Sequence, residues 1–65
     1  MTLTINGEAR ATEAATISEF LASINLPLQM VVVEHNGEIV PREHYGEQSL
    51  REGDTLEVVQ MMAGG

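Results

Sequence analysis

Met1-Thr2-Leu3-Thr4-Ile5-Asn6-Gly7-Glu8-Ala9-Arg10-Ala11-Thr12 opens the chain and decides how the rest is read. Met1, Leu3 and Ile5 alternate with Thr2 and Thr4, the period of two expected of a half-buried strand. Asn6-Gly7 then supplies two residues tolerant of positive φ, the strongest short hairpin signal. The return strand, Glu8 to Thr12, keeps the alternation but offers only Ala9 and Ala11 on one side. It reads as an edge strand with little to bury.

The next segment supplies a cover for this hairpin. Thr16-Ile17-Ser18-Glu19 fits a capping box, in which the Thr16 hydroxyl takes the Glu19 amide and the Glu19 carboxylate reaches back to the Thr16 amide. Ile17, Phe20, Leu21 and Ile24 follow at i, i+3, i+4 and i+7, one apolar stripe. Asn25 suits a left-handed helix end, and Pro27 prevents the helix resuming. About two turns of helix cannot stand alone in water, so the stripe must pack on a sheet.

Met30 to His35, with three valines in a row, is the most β-prone stretch. Asn36-Gly37 repeats the hairpin signal into Glu38-Ile39-Val40, which Pro41 ends because it has no amide to donate. Pro41 to Tyr45 reads as a short helical turn and Gly46 to Leu50 as a surface connection. Glu52-Gly53-Asp54 turns into a last strand, Thr55 to Met62. The order β-β-α-β-β-turn-β predicts a two-layer α+β domain over residues 1–65, with a Gly-Gly tail over 63–65. A hairpin followed by a helix crossing to later strands describes the β-grasp, or ubiquitin-like, fold, a mixed sheet with one helix on one face. Its expected core sets Ile17, Phe20, Leu21 and Ile24 against Leu3, Ile5, Val31, Val33, Leu56 and Val58.

Composition narrows function. A chain of 65 residues buries only about 60% of its unfolded surface, which disfavours a deep internal active site. There is no cysteine, hence no disulfide, thiolate nucleophile, side-chain persulfide or cysteine-ligated zinc. Ten acids face three arginines and no lysine, a formal net charge of −7. That sign disfavours nucleic acid and anionic membrane and favours a basic protein partner. The missing lysines fit ordinary acidic bias, or a chain that avoids amines able to attack its own activated acyl group. With no apolar run of about 18 residues and no leader pattern, the expected compartment is the cytoplasm.

Parity along the last strand points to a docking surface. If Leu56 and Val58 meet the helix, Val59 and Met61 fall on the open face, and by the same argument Val32 joins them. An apolar patch there is a candidate partner-docking site. The alternative is scattered surface apolar residues, which need no partner.

No internal catalytic set is apparent. His35 at a hairpin turn and His44 in a loop lack a third ligand at strand or helix spacing, so no metal site is expected, and both read as solvated surface histidines. Ser18, Ser23 and Ser49 have no neighbouring base, and no glycine-rich phosphate loop occurs. The group placed for chemistry is the Gly65 carboxylate. Gly64 and Gly65 lack Cβ atoms and can lie extended in a channel too narrow for side chains. A frayed terminus is the plainer account of the same two residues. A carboxylate becomes electrophilic only when its oxygen is made a leaving group, for example by adenylation. A chain this small is expected to bind no cofactor, so ATP must be bound by a separate activating enzyme.

Ile39-Val40-Pro41-Arg42-Glu43, with Ile5-Asn6-Gly7 upstream, Glu52-Gly53-Asp54-Thr55-Leu56 downstream and the Gly64-Gly65 end, resembles the family of thiamine-biosynthesis sulfur carriers (ThiS). The likeness runs the whole chain; the Val-Pro-Arg stretch is its most specific part, while Gly-Gly is shared by all ubiquitin-like carriers. The resemblance implies a carrier rather than an enzyme. Gly65 would be adenylated by a ubiquitin-activating-type partner (ThiF family) using ATP and Mg. A sulfur donor protein would then supply the sulfur of a thiocarboxylate, delivered to thiazole synthase (ThiG family). Tyr45 departs from relatives that often carry tryptophan there, which bears on packing. Two rival readings stay open: a molybdopterin synthase small subunit, usually longer and without Val-Pro-Arg, and a non-covalent ubiquitin-like interaction module, for which the tail would be dispensable.

Overall fold

Two Asn-Gly turns frame the sheet. A computed structural model describes residues 1–61, and in it Asn6, Gly7, Asn36 and Gly37 all adopt positive φ, at 51°, 86°, 52° and 90°. These values suit the type I′ hairpins expected of Asn-Gly. The first turn joins β1 (Thr2–Ile5) to β2 (Glu8–Ala11), and the second joins β3 (Val31–His35) to β4 (Glu38–Ile39). Helix α1 (Ile17–Ser23) lies between the hairpins in sequence, and β5 (Thr55–Gln60) follows them.

The sheet order is β2-β1-β5-β3-β4. β5 pairs parallel with β1 and antiparallel with β3, so the last strand sits at the centre of a mixed sheet. With one helix across one face, this is the β-grasp arrangement. Beyond Ile5 the Asn6 side chain prolongs the β1 edge: its Oδ1 accepts the Val58 N–H at 2.7 Å and its Nδ2 donates to the Val58 carbonyl at 3.1 Å.

The helix starts where the capping box places it, with one change. The Thr16 hydroxyl accepts the Glu19 N–H, but the Glu19 carboxylate accepts the Ala15 N–H at 2.8 Å rather than that of Thr16. The residue behind the cap is thereby fastened, and the Ile17 N–H goes instead to the Gln48 carbonyl. Asn25 closes the helix at φ 62°, as expected.

Leu3, Ile17, Phe20, Leu21, Val31, Val33, Leu56 and Val58 are buried. Ile5 and Ile24 are only partly buried against them, because Ile5 lies at the turn end of β1 and Ile24 at the helix cap. The expected core also omits Ala14, Val40, Tyr45 and Leu50, which the fold buries. Gly46 to Leu50 is correspondingly more than a surface connection. Leu50 donates to the Ala15 carbonyl, and the Tyr45 and Gln48 carbonyls accept the Ser18 and Ile17 amides. Helix N-termini leave such amides without intrahelical partners, and this segment satisfies them. β2 is exposed throughout, as an edge strand should be.

Candidate functional site

The sheet has two faces of different chemistry. The β1–β2 register sets Arg10 beside Leu3 on the helix side, where its guanidinium lies 5.9 Å from the centre of the Phe20 ring. The same register sends Thr2, Thr4, Ala9 and Ala11 to the open side. On the open side Val59 pairs with Val32 across β5 and β3, and Glu57 pairs with Glu34. Val59 is 60% exposed and Met61 54% exposed. The structure therefore brings the three sequence-derived docking residues to one face, with Val32 and Val59 in register and Met61 two residues further along.

Ile39 belongs with them and was missed. It pairs with Glu34 on the open face and is the most exposed large apolar side chain among the described residues, at 68%. The signal was available: a two-residue Asn36-Gly37 turn fixes the register, so an outward Glu34 requires an outward Ile39. The face thus carries Val32, Val59, Met61 and Ile39 around a directly opposed carboxylate pair. Like charges so placed are unfavourable in the free protein. No strand residue on this face is basic: the registers place Thr2, Thr4, Ala9, Ala11, Val32, Glu34, Ile39, Thr55, Glu57 and Val59 there.

At the tail end of the face, the Met61 N–H donates to the Met30 carbonyl at 2.6 Å, one residue past the end of β5. The expected last strand reaches Met62, and the candidate acceptor Gly65, its neighbour Gly64 and the rest of the 63–65 tail follow; Met62 to Gly65 lie outside the described residues.

His35 corrects a sequence expectation. Far from being a solvated surface group, it is half-buried, and its Nε2 lies 2.7 Å from Asp54 Oδ2. Asp54 also accepts the Arg51 N–H at 2.9 Å and an Asn36 Nδ2 contact at 3.3 Å. Burial acts to raise the Asp54 pKa, but these hydrogen bonds and the His35 charge outweigh it and hold the carboxyl below its ordinary value. The cluster ties the β3–β4 turn to the start of β5, and Asn36 completes it by accepting the Thr55 N–H. His44 is exposed. Among the described residues no group of three or more histidine, aspartate or glutamate side chains could hold a metal ion. None of their helices is long and apolar enough to cross a membrane.

A groove on the helix side, lined by Ile5, Arg10, Ile24, Leu26, Val58 and Gln60 among others, lies on the opposite face of the sheet from the apolar patch. Its lining is mixed, with Asn6 and Glu8 beside Arg10, and one arginine next to a glutamate does not make a triphosphate cradle.

Comparison with known proteins fits this arrangement. The model of the ThiS family matches residues 3–65. The sulfur carrier protein ThiS of Bacillus subtilis (strain 168) is 40% identical over 53 residues, 82% of this chain and 80% of that one. A thiazole synthase of Paramagnetospirillum magneticum is 39% identical across 100% of this chain, which spans only 20% of that protein's length. The crystal structure of the thiamine biosynthesis protein ThiS from Geobacter metallireducens superposes with a TM-score of 0.83 at 32% identity, covering 100% of both chains. A family match that takes in both hairpins, the helix and the terminal glycines, joined to a shared fold, means that the chain belongs to the ThiS family.

Proposed function

We propose that this protein is a sulfur carrier of thiamine biosynthesis that works through its terminal glycine. The observation that carries the reading is the family match over residues 3–65, which includes Gly64 and Gly65. The Gly65 carboxylate oxygen attacks the α-phosphorus of ATP on a ThiF-type enzyme, and pyrophosphate leaves. Hydrosulfide released by a donor protein then attacks the acyl carbon, AMP departs with the oxygen, and loss of the sulfur-bound proton leaves a thiocarboxylate. The chain binds no cofactor itself; ATP and Mg belong to the activating partner. A domain of this size without cysteine suits a cosubstrate rather than a catalyst, and ATP-dependent activation implies the cytoplasm.

The open sheet face supports capture by that partner. Val32, Val59 and Met61, with Ile39, offer apolar area beside the root of the tail, and the Glu34–Glu57 pair favours a basic partner surface. The likeness to a thiazole synthase along the whole of this chain supports an enzyme of that kind as the acceptor of the sulfur. Intact-mass spectrometry after incubation with the activating enzyme, ATP and a sulfur donor tests the reading. The expected result is one sulfur-for-oxygen exchange, mapped to the C-terminal peptide. No mass gain with an active cognate enzyme would leave a non-covalent ubiquitin-like module as the better account.

A further inference from the structure

Val40-Pro41-Arg42 carries the most specific part of the family likeness, yet it has no share in the chemistry at Gly65. Its surroundings give it another task. Arg42 opens the 3-10 turn Arg42–His44 and reaches across to the turn Leu28–Met30 that leads into β3. Its Nε donates to the Leu28 carbonyl at 3.1 Å and its Nη2 to the Gln29 carbonyl at 3.2 Å. The next carbonyl in the chain, that of Met30, accepts the Met61 N–H. The one after it, that of Val31, lies 3.4 Å from the Tyr45 hydroxyl. Four successive carbonyls are thus occupied, three by side chains of the 42–45 turn and one by the root of the tail.

The arrangement follows from where β4 stops. β4 is two residues long, and after the Val40 N–H bonds the Val33 carbonyl the next residue, Pro41, has no N–H to give. Backbone pairing along that edge of β3 ends there, and Tyr45 and Arg42 side chains take over towards its N-terminal end. The Leu28–Met30 turn needs this support. None of its residues is fully buried, no side chain caps it, and its internal backbone bond runs from the Met30 N–H to the Pro27 carbonyl. A guanidinium suits the position because its planar fork spans two neighbouring acceptors, which an ammonium does not do in the same way.

We propose that Arg42 is a positioning residue for the tail. By holding the Leu28 and Gln29 carbonyls it fixes the Met30 carbonyl as the acceptor of the Met61 N–H, the point from which the tail is presented. The consequence for activity rests on the carrier reading above; the clamp on Met61 does not.

The test is amide hydrogen exchange by NMR on the full chain, with Arg42→Gln and Arg42→Lys variants. Loss of the two charge-assisted bonds is expected to speed exchange of the Met61 amide by roughly tenfold in Arg42→Gln, with Arg42→Lys intermediate. The amides of Val33 and Leu56 should keep their wild-type rates. A Met61 amide unchanged in both variants overturns the proposal, and so does equal acceleration of Val33 and Leu56, which would mean a general loss of stability. In steady-state adenylation by the activating enzyme, Arg42→Gln should lower kcat while leaving KM near the wild-type value, because the apolar docking face is intact. Faster Met61 exchange with an unchanged kcat overturns the link to presentation. Failure of wild type to be adenylated would sink the carrier reading alone, and the exchange rates would still decide the clamp.

Discussion

Val59 stands directly opposite Val32 in the β3–β5 ladder, and both point away from α1, since Val32 lies between the buried Val31 and Val33 and Val59 follows the buried Val58. A charge at Val59 therefore enters no core. Val59→Asp should stay folded, losing no more than about 1 kcal/mol for poorer strand propensity at an exposed site. Capture by the activating enzyme should suffer far more. An unpaired carboxylate desolvated in an interface costs several kcal/mol, here beside the existing Glu34 and Glu57 charges. A titration should show affinity for the enzyme lowered by about a hundredfold or more. Unchanged affinity would make the patch ordinary surface. Ile39→Asp should follow Val59→Asp if the docking face extends to β4.

The helix side makes the opposite prediction. Phe20 is fully buried, with the Arg10 guanidinium over its ring. Phe20→Ala should cost roughly 3 to 5 kcal/mol through lost burial and the cavity left behind. Small domains hold about 5 to 15 kcal/mol in total, so thermal denaturation should show a large drop in Tm or no transition at all. A melting temperature equal to wild type would remove Phe20 from the core.

The sequence disclosed those parts of this fold that depend on short-range rules. Asn6-Gly7 and Asn36-Gly37 fixed two hairpins, and the Ile17, Phe20, Leu21 stripe identified the buried face of a helix whose cap was legible in Thr16. Parity alone brought Val32, Val59 and Met61 to the open side. What escaped has no period to read. Tyr45 and Leu50 lie in irregular chain, and their burial comes from packing around the helix N-terminus. The His35–Asp54 contact joins residues 19 apart in sequence, so neither neighbourhood announces it. Arg42 stands in the stretch that carries the resemblance, but its carbonyl partners are 13 and 14 residues away and belong to a turn that the sequence did not suggest.

Asp54 gives a prediction with a defined pH dependence. Its folded-state pKa is depressed, so its stabilising contribution is present above the unfolded value and is lost as pH falls through the folded value. Asp54→Ala removes the acceptor for His35, the Arg51 amide and Asn36 together. At about pH 5, above the ordinary aspartate range, the variant should be less stable than wild type by about 1 to 3 kcal/mol. The gap should narrow as pH falls further, through the depressed folded-state value at which Asp54 takes up its proton. Urea titrations stepped downward in pH measure it. A gap that stays constant would mean that the carboxylate charge contributes nothing to the clasp.

The tail prediction separates a terminal acyl acceptor from an interaction module. Adding one alanine after Gly65 moves the reacting carbonyl by up to about 3.6 Å along an extended chain. It also brings a methyl group into the part of a narrow channel that the terminal glycine would occupy. Misplacement of a reacting atom by even about 1 Å can cost on the order of a hundredfold in rate. The extended protein should therefore fold as wild type does, because Val58 is the last buried residue among those described and residues 59–65 separate it from the added alanine. It should also bind the activating enzyme with similar affinity, because Val32, Val59 and Ile39 are untouched. Intact-mass analysis with the enzyme, ATP and a sulfur donor should then show sulfur on wild type and none on the extended chain. Equal modification of both proteins would falsify Gly65 as the acceptor.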